Sequence, residues 1–262
     1  MKKSQEQNDR RKFLVGMGVA GASAVLAGPA MAASMKSTKV SWQKEHEVVI
    51  IGSGFAGLAA AIRAKQLGAK EVVIYEQMPY LGGNSAINGG LFAAPGTPLQ
   101  KKEGVVDSPE RMAADQIKAG GGVAYEELLL HVAKRAKEAL QMTLDAGSVY
   151  FPYLQQLGGH SVPRTYQTTV TSGGGITQPL IKKCRSLGVR LETRSKFDGF
   201  IFDDKGKVIG AVIKEGYHRD YGKEGTPVNV RAQRGVIIAT GGFAQHISLR
   251  SAQDPTLTAE VP

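Results

Sequence analysis

The chain has 262 residues, 42% of them hydrophobic, and a formal net charge of +10, a length that suits one large α/β domain or two small ones. Its one cysteine excludes an internal disulfide and a four-cysteine metal site, and no Cys-x-x-Cys-His is present to attach a c-type haem. The basic residues are scattered, without the basic and aromatic clustering of a nucleic-acid surface, so no nucleic-acid partner is expected.

Residues 1–32 read as an export signal. Asp9-Arg10-Arg11-Lys12-Phe13-Leu14 precedes the glycine-diluted apolar run Val15 to Leu26, and Ala30-Met31-Ala32 offers a cleavage site before Ala33. The adjacent arginines match the twin-arginine pattern. The run falls short of the roughly 18–20 residues of a membrane span. A periplasmic protein without a membrane span is expected, with residues 33–46 as a polar linker.

Val48-Val49-Ile50-Ile51-Gly52-Ser53-Gly54-Phe55-Ala56-Gly57 carries the central signal. A buried strand breaks into G-x-G-x-x-G, and Leu58-Ala59-Ala60-Ala61 opens a helix. Gly52 allows a sharp turn, Gly54 admits a pyrophosphate, and Gly57 lets helix and strand pack closely. The helix N-terminus then points free N–H groups at the phosphates. A second strand, Glu71 to Glu76, ends on a carboxylate 19 residues after Gly57. That is close to the spacing of about 20 expected of a ribose acceptor. The unit Glu47 to Glu76 therefore reads as a dinucleotide-binding βαβ.

Tyr80 to Gly90 is a glycine-rich loop. Asp107-Ser108-Pro109-Glu110 starts a helix that runs through Lys118. Ala124 to Ala146 is a second helix, with Leu128, Val132, Ala136, Ala139 and Leu140 as its apolar positions. Gly158 to Arg164 is an irregular loop. Thr177 to Leu187 is a helix after Gly173-Gly174-Gly175, and Cys184 within it reads as an ordinary half-buried thiol. The period then becomes two: Leu191–Thr193, Phe200–Phe202, Val208–Ile213 and Val228–Arg231 read as strands, with Asp203–Lys207 a tight turn. Gly235-Val236-Ile237-Ile238-Ala239-Thr240-Gly241-Gly242 is a final apolar strand with a glycine turn.

In combination, three motifs carry a resemblance: the first glycine loop, Leu81-Gly82-Gly83-Asn84-Ser85, and Ala239-Thr240-Gly241-Gly242-Phe243-Ala244. They resemble the flavoprotein subunits of the fumarate reductase and succinate dehydrogenase superfamily, nearest to the flavocytochrome c type with fumarate, urocanate and methacrylate reductases. The resemblance runs from about Glu47 to Thr256. It implies an α/β fold: an FAD-binding Rossmann-like parallel sheet with helices and a β-meander. Residues 47–254 would be the first segment of the FAD-binding domain, and residues 255–262 the start of a capping region the chain does not contain.

The implied cofactor is FAD. Gly52, Ser53, Gly54, Ala56 and Gly57 would lie at its pyrophosphate, and Glu76 with Gln77 at the adenosine ribose. Gly83, Asn84, Ser85, Gly89 and Gly90 would line the flavin side. Asp198, beside Phe197, would meet the adenine through main-chain groups, and Thr240 and Gly241 would close the pyrophosphate side. The resemblance also implies reduction of a C=C bond next to a carboxylate on a small unsaturated substrate, with electrons from a separate cytochrome. In the family the substrate-binding His and Arg residues follow the Ala-Thr-Gly-Gly-Phe strand in segments absent here, so no catalytic residue and no metal ligand is assigned. His160 and Arg164 are read as loop hydrogen-bonding residues that shield the cofactor. Three other readings stay open: a non-catalytic or truncated flavin-binding chain, an FAD-dependent dehydrogenase of the ketosteroid type, and an NAD-dependent dehydrogenase that binds nicotinamide without flavin.

Overall fold

The computed structural model describes residues 35–36 and 40–261. The signal peptide expected over residues 1–32 lies outside them. Among the described residues no helix is long and apolar enough to cross a membrane.

The fold is built on one sheet of seven strands. In chain order these are β1 (Met35–Lys36), β2 (Lys44–Ile51) and β3 (Val72–Tyr75). Two further short strands, β4 (Leu91–Ala93) and β5 (Thr165–Gln167), form a separate antiparallel ribbon. The main sheet continues with β6 (Arg190–Glu192), β7 (Ser195–Phe202), β8 (Val208–Glu215) and β9 (Thr226–Ile238). Its order is β1-β7-β8-β9-β2-β3-β6. β9, β2, β3 and β6 run parallel, while β8 pairs antiparallel with both β7 and β9, which makes the meander. The expected α/β architecture is present, with the parallel part dominant and no capping domain among the described residues.

Period-two alternation divides the central strands between two cores. Ile50 and Ile74 face α1 (Phe55–Gln66) and a later helix, Gly174–Ser186, through Leu58, Ile62, Leu180 and Ile181. Val49, Ile51, Val73 and Tyr75 face the other way, against Ala211, Ile213, Val230 and Ala232. These central residues of β2 and β3 are buried to 3% exposure or less, which is why the apolar run reads as continuous rather than alternating.

Between the two halves of the sheet lie α2 (Gly83–Ile87), α3 (Pro98–Lys102), α4 (Pro109–Ala119) and α5 (Glu126–Asp145), before the helix at Gly174, here α6. Ser108 caps α4 by accepting from the Arg111 N–H, as its sequence implies. A short α7 (Ile247–Gln253) follows β9.

The structure adds β4, β5, α3 and α7, which the sequence reading does not contain, and departs from that reading elsewhere as well. Residues 33–46 are not all linker: Met35–Lys36 pairs with β7, and β2 begins at Lys44 because Lys44–His46 pairs with Val230–Ala232. The loop from Tyr80 contains α2. α6 starts at Gly174, because its glycines serve close packing rather than a break; a Cβ on Gly173 would lie 1.9 Å from the Ser85 carbonyl oxygen. The strands expected at Val228–Arg231 and from Gly235 are one strand, β9, that absorbs a register shift opposite His46 and Val48. Finally, α5 buries Ala133, Ala136, Leu140 and Thr143, leaving Leu128 and Val132 exposed. Its inner face lies along α4, and Ala136 and Leu140 meet Tyr166 of β5 in a small core.

β8 accompanies β9 only as far as Arg231. Beyond that point Gly235–Ile238 pairs with β2 on one side and has no strand partner on the other among the described residues. Ile237 and Ile238 there are 38% and 48% exposed.

Candidate functional site

Three loops converge at the C-terminal ends of β2, β3 and β9. After β2, Gly52 turns the chain at φ +102. A Cβ on Gly52 would sit 2.4 Å from the Ala239 carbonyl oxygen, and one on Gly57 would sit 1.9 Å from the Gly52 carbonyl oxygen. Backbone therefore packs on backbone here, and no side chain fits. α1 begins with Gly54 as its N-cap and without a side-chain cap. Such an end presents amide donors and a partial positive charge, the arrangement that binds phosphate. Ala56, in the first turn, is exposed. One amide already has a partner: the Ser85 hydroxyl accepts from the Phe55 N–H at 3.1 Å.

Glu76 follows β3 and is 6% exposed. Its Oε2 accepts from the Ser53 N–H at 3.0 Å and from the Ser53 hydroxyl at 2.6 Å. Its Oε1 accepts from the Met78 N–H at 2.9 Å. The Ser53 hydroxyl in turn accepts from the Gly82 N–H at 2.9 Å. Ser53 is fully buried, so its side chain faces the protein and not a ligand.

A partly open cavity of about 170 Å³ lies beside these residues, lined by Gly52, Glu76, Gln77, Lys196, Phe197 and Thr240 among others. Gly52, Glu76, Gln77 and Thr240 are thus brought together as the sequence reading has them. Lys196 joins them without forewarning, because a lysine inside a period-two strand carries no local signal for a site. Asp198 does not line the cavity. Its carboxylate lies 3.1 Å from Lys214 Nζ, on the meander. Gly241, at φ +80, leaves β9 in open space.

The loop expected on the flavin side forms a second group. Gly82 and Gly83 have φ of +104 and +47 and lead into α2, which carries Gly83, Asn84 and Ser85. Asn84 and Gly89 are exposed. Gly90 is packed so that a Cβ would meet both the Ser172 carbonyl oxygen and Thr168 Oγ1 at 2.4 Å. Asn88, absent from the sequence reading, holds this loop: its Oδ1 accepts from the Gly90 N–H and its Nδ2 donates to the Ser85 carbonyl. A polar residue among glycines was its only signal.

Arg164 belongs to a separate buried network, and His160 lies half-buried beside it with its Nδ1 3.3 Å from Thr165 Oγ1. Arg164 donates to both oxygens of Asp107, at 2.9 and 3.0 Å, and to Asp115 at 2.7 Å. Gln100 donates to Asp107 and to the Pro163 carbonyl. Burial works against the charge on Arg164, and the two carboxylates overcome it. Burial also raises Asp115, but the Ser161 N–H, Arg164 and the Ser161 hydroxyl outweigh that and hold it below the usual carboxylate range. His160 is pushed below its ordinary value by burial, then by the Arg164 cation. With every Arg164 partner internal, this cluster anchors the loop. Among the described residues no group of three or more His, Cys, Asp or Glu side chains could hold a metal ion.

These features fit an FAD nucleotide. The glycine turn, the uncapped start of α1 and a carboxylate at the end of β3 share one edge, beside an open cavity. Residues 47–261 match the family model described as FAD binding domain. The chain is 65% identical over 252 residues to the acrylate reductase flavoprotein subunit of Shewanella woodyi, covering 96% of this chain and 50% of that protein. It is 31% identical over 217 residues to a urocanate reductase of Eggerthella lenta, covering 82% of this chain and 34% of that one. The open conformation of a flavocytochrome c3 fumarate reductase superposes with a TM-score of 0.75 at 28% identity, covering 83% of this chain and 37% of that chain. The chain thus spans half the length of the first of these relatives and about a third of the others. It belongs to the FAD-binding domain family of flavoprotein oxidoreductases.

Proposed function

We propose that this chain holds the FAD of an exported reductase that saturates a C=C bond next to a carboxylate, taking electrons from a separate cytochrome. The observation that carries this reading is the 65% identity to an acrylate reductase flavoprotein subunit across 96% of the chain. Acrylate is therefore the first substrate to test, with fumarate and urocanate as comparisons. The twin-arginine pattern at Arg10 and Arg11 supports export of an already folded flavoprotein to the periplasm. The printed name of the 65% identical relative, a flavoprotein subunit, supports an electron donor on another polypeptide.

When bound, FAD supplies the hydride for the double bond. The residues of this chain bind and orient it. The start of α1 with Gly52, Gly54 and Gly57 would hold the pyrophosphate, and Glu76 would accept from the ribose. Phe197 and Lys196 flank the adenosine cavity, and the loop from Gly82 to Gly90 backs the flavin side. The cations that clamp the substrate carboxylate and the proton donor lie in the length that the relatives have and this chain does not span. Stabilising developing negative charge requires both.

The test is direct. The chain is purified after reconstitution with FAD, its absorbance is recorded, and it is assayed with reduced viologen and each acid. Flavin bound stoichiometrically without turnover is the expected result. Failure to retain flavin would sink the binding reading. Turnover by this chain would refute the assignment of substrate residues elsewhere.

A further inference from the structure

Ser53 stands between two glycines that the turn requires, at a position where the turn itself sets no side chain. Yet its hydroxyl is fully buried and ties three loops together. It donates to Glu76 Oε2 at 2.6 Å and accepts from the Gly82 N–H at 2.9 Å, while the Ser53 N–H reaches the same Oε2 at 3.0 Å.

A carboxylate oxygen accepts about two hydrogen bonds. Oε2 of Glu76 is therefore filled by Ser53. Oε1 receives only the Met78 N–H, at 2.9 Å, among the described residues. One acceptor direction of Glu76 remains, on the residue that lines the cavity. Left to itself, a glutamate at a strand end samples several rotamers and takes solvent partners. Two donors on one oxygen fix it in one. The same hydroxyl holds Gly82, whose φ of +104 starts the turn into α2.

We propose that Ser53 is a positioning residue for the adenosine half of the cofactor: it aims Glu76 so that Oε1 receives a ribose hydroxyl. The inference rests on the FAD reading above and adds a residue that acts without touching the ligand.

The test uses the apo form of the whole 262-residue chain. It is titrated calorimetrically with ADP and with 2′,3′-dideoxy-ADP, which lacks the ribose donors. The unmodified chain is expected to prefer ADP by about tenfold or more, the size of a hydrogen bond to a charged group. In Ser53→Ala that preference falls below about threefold, while affinity for the dideoxy compound holds. Ser53→Thr, which restores the hydroxyl, recovers the preference. Glu76→Gln loses it, and the Ser53→Ala/Glu76→Gln pair loses no more than Glu76→Gln. Should Ser53→Ala not fold, as judged by circular dichroism, Ser53→Cys carries the same expected loss through its weaker donor. An equal loss of affinity for both ligands in Ser53→Ala would mean a purely scaffolding serine and overturn the proposal. So would an unchanged ADP preference. An unmodified chain that binds both nucleotides alike overturns the proposal but leaves the FAD reading standing; one that binds neither overturns both.

Discussion

Arg164 and Asp107 meet through two hydrogen bonds, at 2.9 and 3.0 Å, with both side chains fully buried. The pair joins the loop that enters β5 to the residue that precedes the cap of α4. Removing Asp107 leaves Arg164, out of water, with Asp115 as its one remaining carboxylate. Asp107→Asn is therefore expected to destabilise the chain by about 1–3 kcal/mol. Replacing both Arg164 and Asp107 by apolar residues strips Asp115 of its cation and is expected to cost more than that single change. Urea unfolding of the single and double variants measures both.

The same network sets a pH dependence. Burial and Arg164 lower the folded pKa of His160. The unfolded chain then binds the proton more readily, so stability is complete above the ordinary histidine value of about 6.5 and is lost as pH falls below it, toward the folded pKa. Asp115 is also lowered, so its contribution is complete above the ordinary aspartate value of about 3.9 and is lost as pH falls further, through its folded pKa. His160→Asn is expected to flatten the first limb of the stability–pH curve and to leave the second. A series of urea midpoints from neutral to acid pH reads this.

Two glycines with similar backbone angles should respond differently to alanine. Gly241, at φ +80, has nothing within 4 Å of the place a Cβ would take, so Gly241→Ala bears only the left-handed backbone cost of about 1–2 kcal/mol. Gly52, at φ +102, adds a contact of 2.4 Å with a backbone oxygen that cannot swing away. Gly52→Ala should lower the melting temperature well beyond Gly241→Ala and also abolish flavin retention. Similar melting temperatures for the two would refute the close-packed turn.

Cys184 has no exposed surface, its thiol donates to the Leu58 carbonyl at 3.6 Å, and burial pushes its pKa up to about 12. The folded chain should therefore resist thiol reagents at pH 8, with labelling that tracks unfolding in urea. Rapid labelling of the native chain would contradict this.

The sequence made the parallel core legible because strand, glycine turn and helix each leave a local mark. Gly52, Gly54 and Gly57 mark the turn, and Ile50 and Ile74 sit in apolar runs bounded by it. What escaped was set by distant partners. Gly173 reads as a helix breaker until Ser85 is seen pressed against it. Leu128 and Val132 have the period of a core face, yet α5 turns Ala133, Ala136, Leu140 and Thr143 inward instead. For the site, Glu76 could be found by its spacing, whereas Lys196 and Asn88 reach their places only through the meander and the packing of Gly90. The hydroxyl of Ser53 could have pointed either way, and only its burial decides it.

The unpaired side of Gly235–Ile238 bears on how the chain behaves in a test tube. Free N–H and C=O groups along a strand, flanked by two half-exposed isoleucines, form a template for another strand. As a purified species this chain should self-associate through that edge, with light scattering that climbs with concentration. A lysine in place of Ile238 should keep it dispersed, because a charge at the seam makes edge-to-edge stacking costly.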